Sequence, residues 1–245
     1  MTRATAIRFN WLLLASLLGG LFFSTCAGNK QEEGPLTAAR LPEVAPDRVD
    51  QLLINPYVAV LDITLHPQDE LPVFEVPSHL LYALSDLDIQ MIQGPHPTTW
   101  EAARATASWQ EGGALQLINN GSKAAHFLLL YRVTPSLPYV IDQVEGDVAD
   151  TLPSHAHVLL DNEYIRVMDV NLPPHFETPL HSGLNRIVYA LNAHQLQHGS
   201  MGEAGLAMEA LSVMPGDLRW ESRGLHITRN AGDSEAHFVV FGFRQ

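Results

Sequence analysis

The chain has 245 residues, 46% hydrophobic and 17% charged, with a formal net charge of −13, enough for one large domain or two of roughly 100 residues. It has no block of basic residues, which excludes a phosphate-backbone binder of nucleic acid. A single cysteine excludes an internal disulfide.

The first 25 residues differ in kind from the rest. Arg3 and Arg8 precede an apolar run from Trp11 to Phe23, WLLLASLLGGLFF. The run is shorter than the about 20 residues of a membrane span. It has the form of the hydrophobic region of a signal peptide, here over 1–25. Cys26 follows directly, in FFSTCAG. This placement resembles the lipobox of bacterial lipoproteins, although Phe23 and Thr25 stand where that family prefers Leu and Gly or Ala. The resemblance implies lipidation of Cys26. Ordinary cleavage near Ala27 and an uncleaved anchor are the alternatives. The lipid or anchor would hold the body at the periplasmic side of a bacterial cell envelope. Residues 26–47 are polar, contain proline and show no apolar period, so they read as a tether.

The rest of the chain repeats itself. LINPYVAVLDITL (53–65) aligns with LDNEYIRVMDVNL (160–172) at an offset of 107, which also pairs Pro72 with Pro179 and Tyr82-Ala83-Leu84 with Tyr189-Ala190-Leu191. Further on the offset is 111, pairing Trp109 with Trp220, Asn119 with Asn230 and Ala125-His126-Phe127 with Ala236-His237-Phe238. Four extra residues in the second copy, between about 199 and 219, account for the change. Both copies are rich in short runs of branched and aromatic residues, punctuated by Gly and Pro, with no convincing helical period. The expected fold is all-β: barrel 1 over 48–133, a linker over 134–154 and barrel 2 over 155–245.

The second copy carries PPHFETPLHSGLNRIVYAL and MPGDLRWESRGLHITRN. These resemble the two motifs of the cupin superfamily, whose fold is a jelly-roll barrel. His181 matches the first histidine of the first motif, and Pro215-Gly216, His226 and Asn230 match the second motif. Gly183 stands at the second histidine position, and Asn185 or Arg186 at the glutamate position. The resemblance implies two tandem cupin-like barrels with a degenerate metal motif. It makes His181 and His226 candidate ligands for Fe, Mn, Ni or Zn. Glu177 is the nearest candidate for the missing glutamate.

The first copy serves as an internal control. His181 corresponds to Phe74 and His226 to Leu115, so barrel 1 should hold no metal. HQLQH (194–198) corresponds to LDIQM (87–91), in which the apolar residues alternate. His181, His194, His198 and His226 should therefore all face the interior of barrel 2 and line a ligand pocket, unless HQLQH is an outward hairpin. His126 and His237, like Trp109 and Trp220, recur in both copies and read as structural. His155 and His157 read as a linker feature.

Three functions stay open. The first is an envelope-anchored binder of a small molecule or divalent metal, without turnover. The second is a metal-dependent oxygenase or isomerase. The third is a degenerate structural lipoprotein, with a homodimer through barrel edges as one form of contact.

Overall fold

The computed structural model describes residues 34–137, 146–202 and 205–244. The signal region, Cys26, most of the tether and the middle of the linker lie outside the described residues. Among the described residues, no helix is long and apolar enough to cross a membrane.

The first repeat forms nine strands: β1 (Val49–Ile54), β2 (Val58–Leu65), β3 (Phe74–Val76), β4 (His79–Ala83), β5 (Leu87–Gln93), β6 (His96–Ala102), β7 (Ala107–Gln110), β8 (Gly113–Asn119) and β9 (Ala125–Arg132). The second forms β10 (Ala156–Asp161), β11 (Ile165–Leu172), β12 (His181–Gly183), β13 (Asn185–Ala190), β14 (His194–Gly202), β15 (Gly205–Val213), β16 (Leu218–Glu221), β17 (Gly224–Asn230) and β18 (Ala236–Phe243). Sheet order is β1-β2-β9-β4-β7 with β3-β8-β5-β6 in barrel 1, and β10-β11-β18-β13-β16 with β12-β17-β14-β15 in barrel 2. The two orders match strand for strand, and the fold is the expected pair of jelly-roll barrels.

The central strands read as unbroken apolar runs because both of their faces are buried. In β2, Ala59, Leu61, Ile63 and Leu65 enter the core of barrel 1, while Val58 and Val60 turn outward. Those outward residues are also buried, against Ile165, Val167, Val239 and Phe241 of the other barrel. The two five-stranded sheets thus pack back to back within one compact unit. Tyr82 meets Phe241 edge-on, with ring centroids 5.3 Å apart. At the margins the contacts are reciprocal: Tyr57 stacks on Trp220 at 5.7 Å, and its repeat partner Tyr164 stacks on Trp109 at 5.0 Å. The recurring tryptophans are anchors between barrels.

Other recurring residues also have structural roles. His126 Nε2 lies 2.6 Å from Asp62, and His237 Nε2 lies 2.7 Å from Asp169. Asn119 and Asn230 each donate through Nδ2 to the carbonyl that ends β2 or β11 and to a loop carbonyl four residues on, and accept from a glycine N–H two residues on. The asparagine of the second motif is therefore a turn brace in both barrels.

Two short helices lie where the sequence reading placed tether and linker. Helix α1 (Leu41–Val44) sends Leu41 into the core of barrel 1. Helix α2 (Val148–Thr151), capped by Asp147, sends Val148 and Ala149 into the core of barrel 2. They correspond at the same 107-residue offset, so each is the opening element of its repeat. The four extra residues lengthen one hairpin. Strands β14 and β15 have nine residues each, against seven each in β5 and β6.

The interface predicts a shared fate for the barrels. Phe241→Ala should cost about 3–5 kcal/mol and lower the urea midpoint of a single cooperative transition. A midpoint unchanged from wild type, or two separate transitions, would contradict it.

Candidate functional site

The site arises where equal register positions carry unequal side chains. In barrel 1, β3 pairs with β8 through Phe74 and Leu115, and β4 pairs with β7 through His79 and Gln110. In barrel 2 the same pairs are His181 with His226 and Arg186 with Glu221. On β14, His198 stands where β5 has Met91, and on β17, Thr228 stands where β8 has Leu117. Period-two alternation puts all of these on the inner face. His181, Arg186, His198 and His226 are 2–8% exposed.

These groups converge. The rings of His181 and His226 lie 4.1 Å apart, and those of His198 and His226 lie 5.3 Å apart. His198 Nε2 is 3.7 Å from Glu221 Oε2. Glu221 is ion-paired with both Arg186 and Arg219. Beside the cluster is a cavity of about 50 Å³, walled by Met168, Val170, Leu196 and Phe238. A further opening of about 320 Å³, bordered by Met201 and Arg223, reaches His198 and His226.

The chemistry follows from burial and charge. Burial pushes the pKa of His181 down, the Arg186 cation adds to this, and the Pro179 carbonyl and Glu221 oppose it. His226 is driven down much further, by burial first and then by Arg186. Burial also lowers His198, against the pull of Glu221. Burial alone would raise Glu221, but Arg186 and Arg219 outweigh it and hold the carboxyl below its usual range. The histidines are therefore neutral at pH 7. A carbonyl only accepts, so the bond from His181 Nδ1 to Pro179 O at 2.8 Å puts the proton on Nδ1 and leaves a lone pair on Nε2. His226 makes a longer contact of the same kind to Gly224 O, at 3.4 Å.

The remaining expected residues separate. His194 is buried, but it lines a different cavity with Ala190, Leu211 and Val213. Glu177 is exposed and its backbone bridges to Arg229, so it is not a ligand of this cluster. Its neighbour Thr178 is buried and lines the cavity in its place. Arg219 and Glu221 were absent from the sequence reading, and Arg186 entered it only as a residue at the glutamate position, with no role. The signal for them was the repeat itself, which sets them against His79, Ser108 and Gln110.

A cupin-type metal would draw on His181, His198 and His226. Among the described residues, no group of three His, Cys, Asp or Glu side chains is placed to hold an ion. The Arg186 guanidinium occupies the space. A Cβ built on Gly183 would lie 2.7 Å from Arg186 Cζ and 2.7 Å from His226 Cε1. The loss of a side chain at 183 is thus the room into which Arg186 reaches. A divalent ion would be a second cation beside a buried guanidinium, with the neighbouring carboxylate already tied to two arginines. The residues do not fit a metal in this arrangement.

The buried neutral histidines set a pH dependence. Their folded pKa values lie below the unfolded value of about 6.5. The unfolded state therefore binds more protons on acidification, and stability present above about pH 6.5 is lost as pH falls. His79 in barrel 1, also lowered by burial, adds to the effect. Melting temperatures should fall between about pH 7 and pH 5. The double variant His181→Phe, His226→Leu, which installs the barrel 1 residues, should show a shallower fall. An unchanged slope would mean that these rings are not buried neutral.

No family model matches the chain, and no curated protein matches it. Solved structures do. AerE from Microcystis aeruginosa is 14% identical with a TM-score of 0.57, over 81% of this chain and 98% of that one. An oxalate decarboxylase from Bacillus subtilis is 11% identical with a TM-score of 0.56, over 80% and 75% of the two chains. A salicylate 1,2-dioxygenase from Pseudaminobacter salicylatoxidans is 10% identical with a TM-score of 0.52, over 79% and 75%. At such identities the likeness establishes the fold, two tandem barrels of the cupin type.

Proposed function

We propose that the chain is a binding module, in which barrel 2 holds a small molecule without a metal and without turnover, and barrel 1 is its packed support. The observation that carries this is the replacement of the buried pair Phe74–Leu115 by His181–His226, beside an open cavity and an arginine–glutamate pair. Such groups are costly to bury unpartnered. A purely structural duplicate would gain by keeping the hydrocarbon of its twin. The arrangement favours an acceptor-bearing ligand. Arg186 and Arg219 share Glu221, and among the described residues Arg219 has one further acidic partner, the exposed Glu209 at 3.8 Å. A small molecule with a carboxylate or similar group balances that excess of positive charge.

A metal-dependent oxygenase or isomerase is the second reading. It is favoured by the lone pair that His181 presents at Nε2, but it requires Arg186 to leave the cluster. The two readings part in one experiment on the untagged full chain. Metal analysis should find well below one ion per chain, and Mn²⁺, Fe²⁺, Ni²⁺ or Zn²⁺ should leave the melting temperature unchanged. A screen of small carboxylates should raise it, and the variant His181→Phe, His226→Leu should lose that response while staying folded. A stoichiometric metal that the double variant releases would overturn the proposal in favour of the enzyme.

We further propose that Cys26 carries the lipid that holds this module at the periplasmic side of the envelope. Cys26→Ser should move the protein from the membrane fraction to the soluble fraction. Unchanged fractionation would refute lipid anchoring.

A further inference from the structure

Barrel 2 contains another cavity, of about 250 Å³, which the histidine cluster does not use. It shares Val188, Leu196, Arg219 and Phe238 with the smaller cavity, so the two are neighbours. The repeat explains its origin. In barrel 1, Trp100 on β6 pairs with Ile89 and is 7% exposed, and its indole meets Phe127 edge-on at 6.0 Å. In barrel 2 the same register position on β15 is Leu211, paired with Leu196, and Phe238 stands in the place of Phe127. The aromatic floor is kept and the indole above it is gone.

One wall has also changed chemistry. Leu87 of barrel 1 becomes His194, whose ring lies 5.9 Å from Phe238. Its Nδ1 is 2.9 Å from Asn192 Oδ1. The orientation of that amide follows from its other bonds: Oδ1 accepts from His237 N, and Nδ2 donates to Glu235 O. His194 Nδ1 is therefore the donor, and the nitrogen left for a ligand is Nε2, an acceptor. The neighbouring wall residues Ala190, Val213 and Leu218 are apolar.

We propose that this slot takes a planar aromatic group carrying a hydrogen-bond donor, phenolic or indolic, seated on Phe238 with its donor on His194 Nε2. This rests on the reading of barrel 2 as a small-molecule pocket and deepens it. The aromatic end of the ligand fills the volume that Trp100 fills in barrel 1, and its polar end runs toward Arg219 and the histidine cluster.

Indole and N-methylindole, titrated into the full-length chain by calorimetry or saturation-transfer NMR, test the slot alone. Indole should bind saturably, and N-methylindole, which cannot donate, should bind roughly tenfold more weakly. Leu211→Trp should abolish indole binding while keeping or raising the melting temperature, since barrel 1 already houses that side chain. Leu211→Phe should weaken binding in the same direction if the tryptophan variant fails to fold. His194→Leu should equalise the two probes. The double variant His181→Phe, His226→Leu should leave indole binding intact. The inference is overturned if indole does not saturate, if neither change at Leu211 affects it, or if the wild type binds both probes equally. Loss of the carboxylate response alone would bear on the histidine cluster and not on the slot.

Discussion

Two five-stranded sheets lie back to back, and each of their central strands is buried on both faces. That contact constrains everything else. A strand with a core on each side cannot slip by one residue, because a slip would exchange its two faces. Both repeats therefore keep the same strand order and the same cross-strand pairs. Substitution is free only where it leaves this contact alone. The inner face of the four-stranded sheet and the inward residues of β13 and β16 meet that condition, and the polar cluster is built there. The site is thus a change of side chains on a backbone that the interface holds still.

The cluster itself is organised around a guanidinium. Arg186 faces Glu221 across β13 and β16, where barrel 1 places the neutral pair His79 and Gln110. A buried ion pair contributes little to stability compared with apolar packing, and breaking one partner away is expensive. Burial keeps two neighbouring imidazoles in their neutral form, and the charge of Arg186 adds to it. Its position beside Gly183 gives it the space that a longer residue at 183 would claim. Four substitutions (at 181, 183, 186 and 226) therefore act as one unit: none of the four polar and small residues makes sense without the others.

Much of this was legible in the chain. Recurrence in both copies separated His126 and His237, like Trp109 and Trp220, from functional candidates, because a residue kept in a hydrocarbon-filled barrel serves the fold. Period two placed His181, His194, His198 and His226 inside, and all four are buried. Glu177, chosen for its nearness in sequence, has the parity of His181 but is exposed, because the chain between the two is not a continuous strand. Arg186 was met only as a departure from the motif's glutamate, and Arg219 and Glu221 stayed hidden because the comparison was made at motif positions and not at every inward one. The change from Trp100 to Leu211 stayed hidden for another reason. The two are paired only if the extra residues fall at the tip of the β14–β15 hairpin, and the alignment alone allowed them anywhere over about twenty positions. The helices α1 and α2 span four residues each, too few for a period to register.

Duplication gives this arrangement its physical logic. A core that exchanges Phe, Met, Leu and Trp for His, Leu and Thr loses packing, and lost volume in a core is destabilising in proportion to the space left behind. A barrel standing alone would bear that loss within a margin of about 5–15 kcal/mol. Here the back-to-back sheets share one apolar cluster, so the filled core of barrel 1 backs the opened core of barrel 2. The outward residues Val239 and Phe241 of β18 remain fully buried, while their neighbour Phe238 turns inward to the cavities. A single strand thus anchors the dimer of barrels with one face and floors the ligand slot with the other. The polar interior is tolerated because the support for it lies on the opposite side of the same backbone.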